Sequence, residues 1–233
     1  MKFSVILALY GNSPYAIEQL NSILKQSHPV DEIVVLVDRG PKINEGVLDL
    51  LKSVKNLKFL YNINNLGPAV TFELAATFST GDYVFFCDQD DIWFEHKVKF
   101  IKDYLEYNKA DIIIHNALVL GSDGMFKHNS LVYNSPPKLL SSLIKNKVVG
   151  ATMLVKQSVL KYVISNSGFY PMHDIVLIIA AIKKKYKVEF INEPLMSYRR
   201  HAETFTGRKR NLISKAITFI KFRLDYYKVW RKL

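Results

Sequence analysis

The chain has 233 residues, room for one globular domain with a short appendage and not for two full domains. Hydrophobic residues make up 49% and charged residues 23%, with 10 glycines and 8 prolines, which excludes collagen-like and intrinsically disordered chains and implies a packed core. The net charge of +11 is uneven: from Gly207 onward nine basic residues face Asp225 alone, so +8 resides in that stretch and +3 in the first 206 residues. A single cysteine, Cys87, excludes an intramolecular disulfide framework and a CxxC metal or redox site. The amino-terminal run MKFSVILALYGNS has no A-x-A-like cleavage site, and no stretch of about 18 apolar residues is present to span a bilayer. These features predict a cytoplasmic protein.

Taken in chain order, Phe3 to Leu9 reads as a first strand, apolar on both faces. Ser13-Pro14 then reads as a helix start, with Ile17, Leu20 and Leu24 at helical spacing. Glu32 to Val37 predicts a second strand, Glu45 to Val54 a helix, Leu57 to Tyr61 a third strand and Pro68 to Phe78 a helix. Tyr83 to Cys87 predicts a fourth strand, Glu95 to Tyr107 a helix with Val98, Ile101, Tyr104 and Leu105 inward, and Ile112 to Leu120 a fifth strand. Strands apolar on both faces and alternating with helices predict an α/β fold: an open, mainly parallel sheet covered on both sides. Beyond it, Gly121 to Pro137 reads as a loop, Val148 to Val155 as a strand and His173 to Lys185 as a helix. Lys187 to Ile191 and Leu195 to Arg199 read as two short strands.

Open α/β sheets bind ligands at the carboxyl ends of their strands. Those ends here are Tyr10-Gly11-Asn12, Asp38-Arg39-Gly40, Asn62 to Gly67 and Asp88-Gln89-Asp90-Asp91. No G-x-G-x-x-G follows the first strand and no P-loop pattern occurs, so a bound phosphate lacks a glycine cradle and needs another counter-charge. In an extended segment Asp88 and Asp90 point the same way. Two hard oxygen donors of that kind suit Mg²⁺ or Mn²⁺ bound jointly with substrate phosphates. The plainer alternative is a polar turn in which Asp91 caps the next helix. A run of acids at the mouth of a buried strand repels itself, and a cation relieves that repulsion.

Ser4 to Tyr10, Ser22 to Ser27, Glu32 to Asp38, Asn65-Leu66-Gly67-Pro68-Ala69 and Thr80 to Trp93 together resemble the family-2 inverting glycosyltransferases of GT-A fold. The segment Gly81 to Trp93 carries most of the resemblance, which resumes at Gly150 to Met153, His173-Asp174 and Tyr198 to His201. The nearest branch is that of rhamnosyltransferase-like enzymes of bacterial surface polysaccharides. The resemblance implies a nucleotide-binding half over 1–110, an acceptor half over 111–206, and a donor pocket lined by Tyr10, Asp38, Gly67, Asp88 and Arg199. It implies a divalent cation near Asp88, Asp90 and His201, with Asp90 the direct ligand, and Asp174 as catalytic base. Two departures stand out: many members have Arg-Asn where this chain has Phe72-Glu73, and an acid where it has His173.

Each residue has a plainer reading beside the functional one. Tyr10 suits the edge of a core, Asp38 a turn cap, Asp174 the first turn of a helix, and His201 an ordinary surface position. The function expected is metal-dependent transfer of a sugar from a UDP- or dTDP-sugar to a hydroxyl of a glycan or lipid-linked glycan. The rivals are a metal-dependent nucleotidyltransferase and a basic nucleic-acid binder. The second is disfavoured because the positive charge is confined to the tail. In that tail, 207–233, Ile213, Ile217, Ile220, Leu224 and Tyr227 form one helical stripe flanked by Lys221, Lys228 and Lys232. Its expected partner is the protein body, a second copy of the chain, or the anionic inner face of the cell membrane.

Overall fold

A computed structural model describes residues 1–121, 126–143, 148–200 and 212–233, and at 126–130 and 212–220 the backbone alone. The first half runs β1 (Phe3–Tyr10), α1 (Ala16–Leu24), β2 (Glu32–Asp38), α2 (Glu45–Lys52), β3 (Leu57–Tyr61), α3 (Gly67–Phe78) and β4 (Tyr83–Cys87). There follow β5 (Ile92–Trp93), α4 (Lys97–Tyr107), β6 (Ile112–Gly121), β7 (Phe126–Leu131), α5 (Leu139–Ser142), β8 (Met153–Lys156), α6 (Gln157–Asn166), α7 (His173–Lys184), β9 (Val188–Arg200) and α8 (Leu212–Lys232). One sheet joins the strands in the order β3-β2-β1-β4-β8-β6-β9-β5, with β7 beside β6. The four strands of the first half are parallel, whereas β8 runs antiparallel to both its neighbours.

Alternation along the strands fills two apolar layers. Val5, Leu7 and Leu9 of β1 face α1, α2 and α4, while Ile6, Val34 and Phe86 face α3, α6 and α7. Each fully buried Leu, Ile or Phe contributes about 1.5–3 kcal/mol of transfer free energy, so two continuous layers hold the strand ends in fixed register. That register sets Tyr10 opposite Asp38 and Leu7 opposite Cys87. The chain reverses direction across the sheet between β1 and β4, and such a switch point opens a crevice at the carboxyl ends.

Several local expectations give way. Helix α1 begins at Ala16 after the Ser13-Pro14 turn and buries Ala16, Gln19, Leu20 and Ile23, leaving Ile17 and Leu24 exposed. Part of the predicted loop after β6 is a strand, β7, because its backbone pairs with β6 whatever its side chains. The expected strand from Val148 starts instead with a 3₁₀ turn at Gly150–Thr152, and α6 follows β8 where no helix was expected. The two short strands near the end are one, β9, whose register shifts around Pro194. A proline lacks a ladder donor and fits at such an irregularity. Among the described residues no helix is long and apolar enough to cross a membrane.

Candidate active site

The carboxyl ends of β1, β2 and β4 are tied together by side chains of the strand-end loops. Gln89 lies between Asp88 and Asp90, and its Oε1 accepts from the Tyr10 backbone N–H at 2.8 Å while its Nε2 donates to the Tyr10 carbonyl at 3.3 Å. That pair of bonds closes the switch point. The Tyr10 ring, half exposed, lies on Gly40, where a Cβ would come within 2.4 Å of it.

Asp38 is buried, and four donors of the chain itself converge on its carboxylate. Oδ1 accepts from the N–H groups of Leu66 (2.8 Å) and Arg39 (3.1 Å) and from Asn62 Nδ2 (3.0 Å), and Oδ2 accepts from the Gly67 N–H (2.8 Å). Gly67 has φ +76°, a left-handed conformation that a side chain would strain. Asp38 therefore builds the β3–α3 loop into a wall of the crevice, and Gly67 is the residue that lets this loop turn onto the carboxylate.

The acidic run serves two ends. Asp88 is half buried, and its carboxyl is pushed up to about 7 by burial first and then by the charges of Asp90 and Asp174. Asp174 therefore lies within electrostatic reach of Asp88, although 86 positions separate them in sequence. Asp91 does not cap a helix: α4 starts only at Lys97 and has no side-chain cap. Instead Asp91 Oδ1 accepts from the Arg199 N–H of β9 at 3.0 Å, and its Oδ2 is buried with no hydrogen-bond partner.

Arg199, expected in the donor pocket, is 4% exposed. Its Nε donates to the Asp90 carbonyl at 2.8 Å, its Nη2 pairs with Glu18, and its guanidinium lies 4.3 Å from the Tyr15 ring centre. It thus braces the acidic loop against α1 and β9. His201 lies outside the described residues.

Asp174 stands in the first turn of α7, 4% exposed, with Oδ1 accepting from the Ile175 N–H at 2.7 Å. The His173 ring lies parallel to Phe86, 2° between planes with centres 4.7 Å apart, and 4.6 Å from Phe72. Burial pulls His173 down to about 3, so it is neutral at physiological pH. Its Nε2 sits where a Cβ on Gly150 would be, 1.9 Å away. The Gly150 to Met153 and His173-Asp174 segments thus meet because only glycine leaves room for the imidazole.

Lys97 was missed by sequence reasoning. It is 1% exposed, with Nζ 3.8 Å from the Trp93 ring centre and 3.7 Å from Met196 Sδ, and burial lowers it to about 7. The signal was its place one turn before Ile101 on the inward stripe, masked by its charge. Tyr133 was hidden inside the supposed loop. Its hydroxyl contacts Thr152 Oγ1 at 3.1 Å and accepts from the Val149 N–H at 2.7 Å, which fixes the segment beneath His173.

Among the described residues no three His, Cys, Asp or Glu side chains converge to hold a metal ion on their own. The strand-end pair Asp88 and Asp90 nevertheless fits a cation that takes most of its ligands from a diphosphate and water. Burial first, and then the charges of Asp90 and Asp174, raise the Asp88 carboxyl, and a bound cation would offset both. A separate cavity of about 440 Å³ lies among Lys2, Glu32, Lys58 and Thr80, at the opposite ends of the strands from these acids.

The chain is 29% identical to an uncharacterized glycosyltransferase of Rickettsia bellii over 107 residues, 46% of this chain and 15% of that one. It is 28% identical to an uncharacterized glycosyltransferase of Nostoc sp. over 145 residues, 61% of this chain and 44% of the relative. To poly(ribitol-phosphate) beta-N-acetylglucosaminyltransferase TarS of Staphylococcus aureus it is 25% identical over 177 residues, 73% of this chain and 30% of TarS. The chain therefore spans less than half the length of each of these relatives. The crystal structure of S. aureus TarS 1-349 in complex with UDP-GlcNAc superposes with a TM-score of 0.74 at 18% identity, covering 99% of this chain and 70% of that one. That likeness is one of fold, and it agrees with the GT-A fold that the sequence resemblance implied. The family model of glycosyl transferase family 2 matches residues 4–188, a span that takes in β1, the acidic run and Asp174, and the chain belongs to that family.

Proposed function

We propose that the protein transfers a sugar from a UDP- or dTDP-sugar to a hydroxyl of a glycan or lipid-linked glycan, with inversion at the anomeric carbon. The observation that carries this reading is that Asp88, beside Asp90 at the mouth of β4 and the β1–β4 switch point, lies within electrostatic reach of Asp174 from α7. The nucleotide lies along the ends of β1 and β2, between the Tyr10 ring and the wall formed by Asp38 and Gly67. Asp88 and Asp90 would hold a divalent cation, which would supply charge neutralisation for the diphosphate leaving group when bound. Asp174 accepts the proton of the acceptor hydroxyl as its oxygen attacks the anomeric carbon from the face opposite the diphosphate. The bond from that carbon to the diphosphate breaks as the new one forms, so no covalent enzyme intermediate is needed. A neutral His173 beside the base adds no second positive charge that would stabilise the Asp174 carboxylate and weaken it as a base.

The TarS complex with UDP-GlcNAc, a neighbour of the same fold, supports a nucleotide-sugar donor. A role in bacterial surface polysaccharide synthesis, in the rhamnosyltransferase-like branch, rests on the resemblance carried by Gly81 to Trp93, and the Phe72-Glu73 pair leaves the donor sugar open.

The test is a panel of nucleotide sugars with Mn²⁺ or Mg²⁺, scored together for nucleoside diphosphate release and thermal shift. At least one UDP- or dTDP-sugar should stabilise the protein in a metal-dependent way and release its diphosphate. Pyrophosphate release from a nucleoside triphosphate, with silence toward every nucleotide sugar, would move the protein to the nucleotidyltransferases.

A further inference from the structure

Helix α8 has two faces, and among the described residues one of them packs on the protein. Asp225, Val229 and Leu233 are buried against the layer formed by α6 and α7, with Tyr226 packed beside them. Tyr162 Oη donates to the Leu233 carbonyl at 2.6 Å and Lys183 Nζ to the Trp230 carbonyl, which fixes the helix on the body along this face. At about 100° per residue, Tyr227, Arg231 and Leu224 fall within about 60° of one another and are centred opposite Val229. Leu224 is 57% and Tyr227 61% exposed. These are the described members of the expected apolar stripe, and the structure turns them to solvent. Trp230 stands at one border of this face, and Lys221, Lys228 and Lys232 are exposed along the other.

The occupant follows from charge. From Gly207 onward the chain carries nine basic residues and a single acid, and that acid, Asp225, lies on the buried face. Two copies packed through the outer face would bring like charges together, which disfavours a homodimer there. A surface of anionic lipid headgroups supplies the missing negative charge and accepts leucine and aromatic rings at its interface. We propose that the outer face of α8 docks on an anionic lipid surface, with Leu224, Tyr227 and Trp230 inserted and Lys221, Lys228, Arg231 and Lys232 set at headgroup level. Because α7 carries Asp174 at its first turn and packs on α8, this docking holds α7 close to the lipid. The proposal does not depend on the transfer reaction.

The experiment is cosedimentation of the full chain with phosphatidylcholine vesicles, with and without one third phosphatidylglycerol. It is run at about 0.1 M and about 1 M salt, where the Debye length falls from ~10 to ~3 Å. Binding should be at least about tenfold stronger with the anionic vesicles at low salt, and weaker at high salt. Leu224→Ser with Tyr227→Ser, and separately Lys221→Glu with Arg231→Glu, should each lower it by about tenfold. Thermal midpoints should stay unchanged, since all four positions are exposed. Equal or absent sedimentation with both vesicle types overturns the proposal whatever the variants do. So does a dimer, seen by sedimentation velocity without vesicle binding, that Leu224→Ser with Tyr227→Ser dissolves.

Discussion

The ring centres of Phe72 and His173 lie 4.6 Å apart, and these are two of the positions at which the sequence departs from the pattern that the family resemblance implies. In this chain the two neutral rings meet at 54° between planes, with Phe86 stacked on His173 and tilted against Phe72. Glu73, the other half of the Phe-Glu pair, turns away and accepts from the Phe169 N–H at 2.7 Å. A double-mutant cycle tests the linkage. Phe72→Arg alone should cost about 3 kcal/mol or more, because it buries an unpaired cation. Adding His173→Glu should recover at least about 1 kcal/mol of that loss. Strictly additive losses in urea denaturation would show that the two positions vary independently.

The same histidine gives a pH prediction. In the unfolded chain His173 takes up a proton below about 6.5, and in the folded state only near 3. Over that window the unfolded state binds more protons, so this residue removes stability as pH falls, by up to about 1.4 kcal/mol per unit. His173→Gln should be less stable than the parent at pH 7 but show a shallower loss between pH 6.5 and 3.5. Parallel stability curves for the two proteins would mean that the imidazole titrates normally.

The first half of the fold was legible because β1, β2 and β4 are largely apolar on both faces and the strands end at or just before Tyr10, Asp38, Asn62 and Asp88, so periodicity and punctuation agree. Leu57–Tyr61 and Tyr83–Cys87 match their sequence boundaries. What was lost is nonlocal. Strand β7 exists by backbone pairing, which leaves no apolar pattern, and β9 carries a proline that reads as a break. Residue type misled at Lys97, whose charge hides an inward position, and Glu18 and Asp90, the partners of Arg199, lie too far away in sequence to be read from it. The acidic run was found because its spacing is local, but the division of labour between Asp88, Asp90 and Asp91 depends on β9 and could not be read from it.

Asp90→Asn should separate cation from fold. A neutral amide is a poorer ligand for a hard divalent ion, so metal-dependent nucleotide binding and transfer should fall sharply. The Arg199 brace uses the Asp90 carbonyl, which the substitution keeps, so the thermal midpoint should hold. Full activity of the parent in excess chelator would remove the cation from the proposed reaction.

Asp174→Asn should separate chemistry from binding. Loss of a general base lowers the rate by roughly a hundredfold or more, while the proposed donor contacts at β1 and β2 are untouched. Nucleotide affinity should therefore stay within about threefold of the parent as transfer drops by that factor. A parallel loss of both would point to an acid that only stabilises the start of α7.

Asp38→Asn decides whether the carboxylate at the end of β2 acts directly or through its loop. Oδ1 and Oδ2 accept from the backbone N–H groups of Leu66 and Gly67 at 2.8 Å each. An amide can satisfy one of these and must point its own donors at the other. Losing one charge-assisted bond and leaving an N–H unpaired costs about 3 kcal/mol, which for a chain of this size lowers the thermal midpoint by roughly 5–10 °C. That drop should appear without any nucleotide present, and nucleotide affinity should fall as the loop at Asn62 to Gly67 loses its anchor. If the midpoint is unchanged while affinity collapses, Asp38 contacts the donor itself and the loop is held by other means. Differential scanning calorimetry of the ligand-free protein, followed by nucleotide titration calorimetry on the same samples, distinguishes the two.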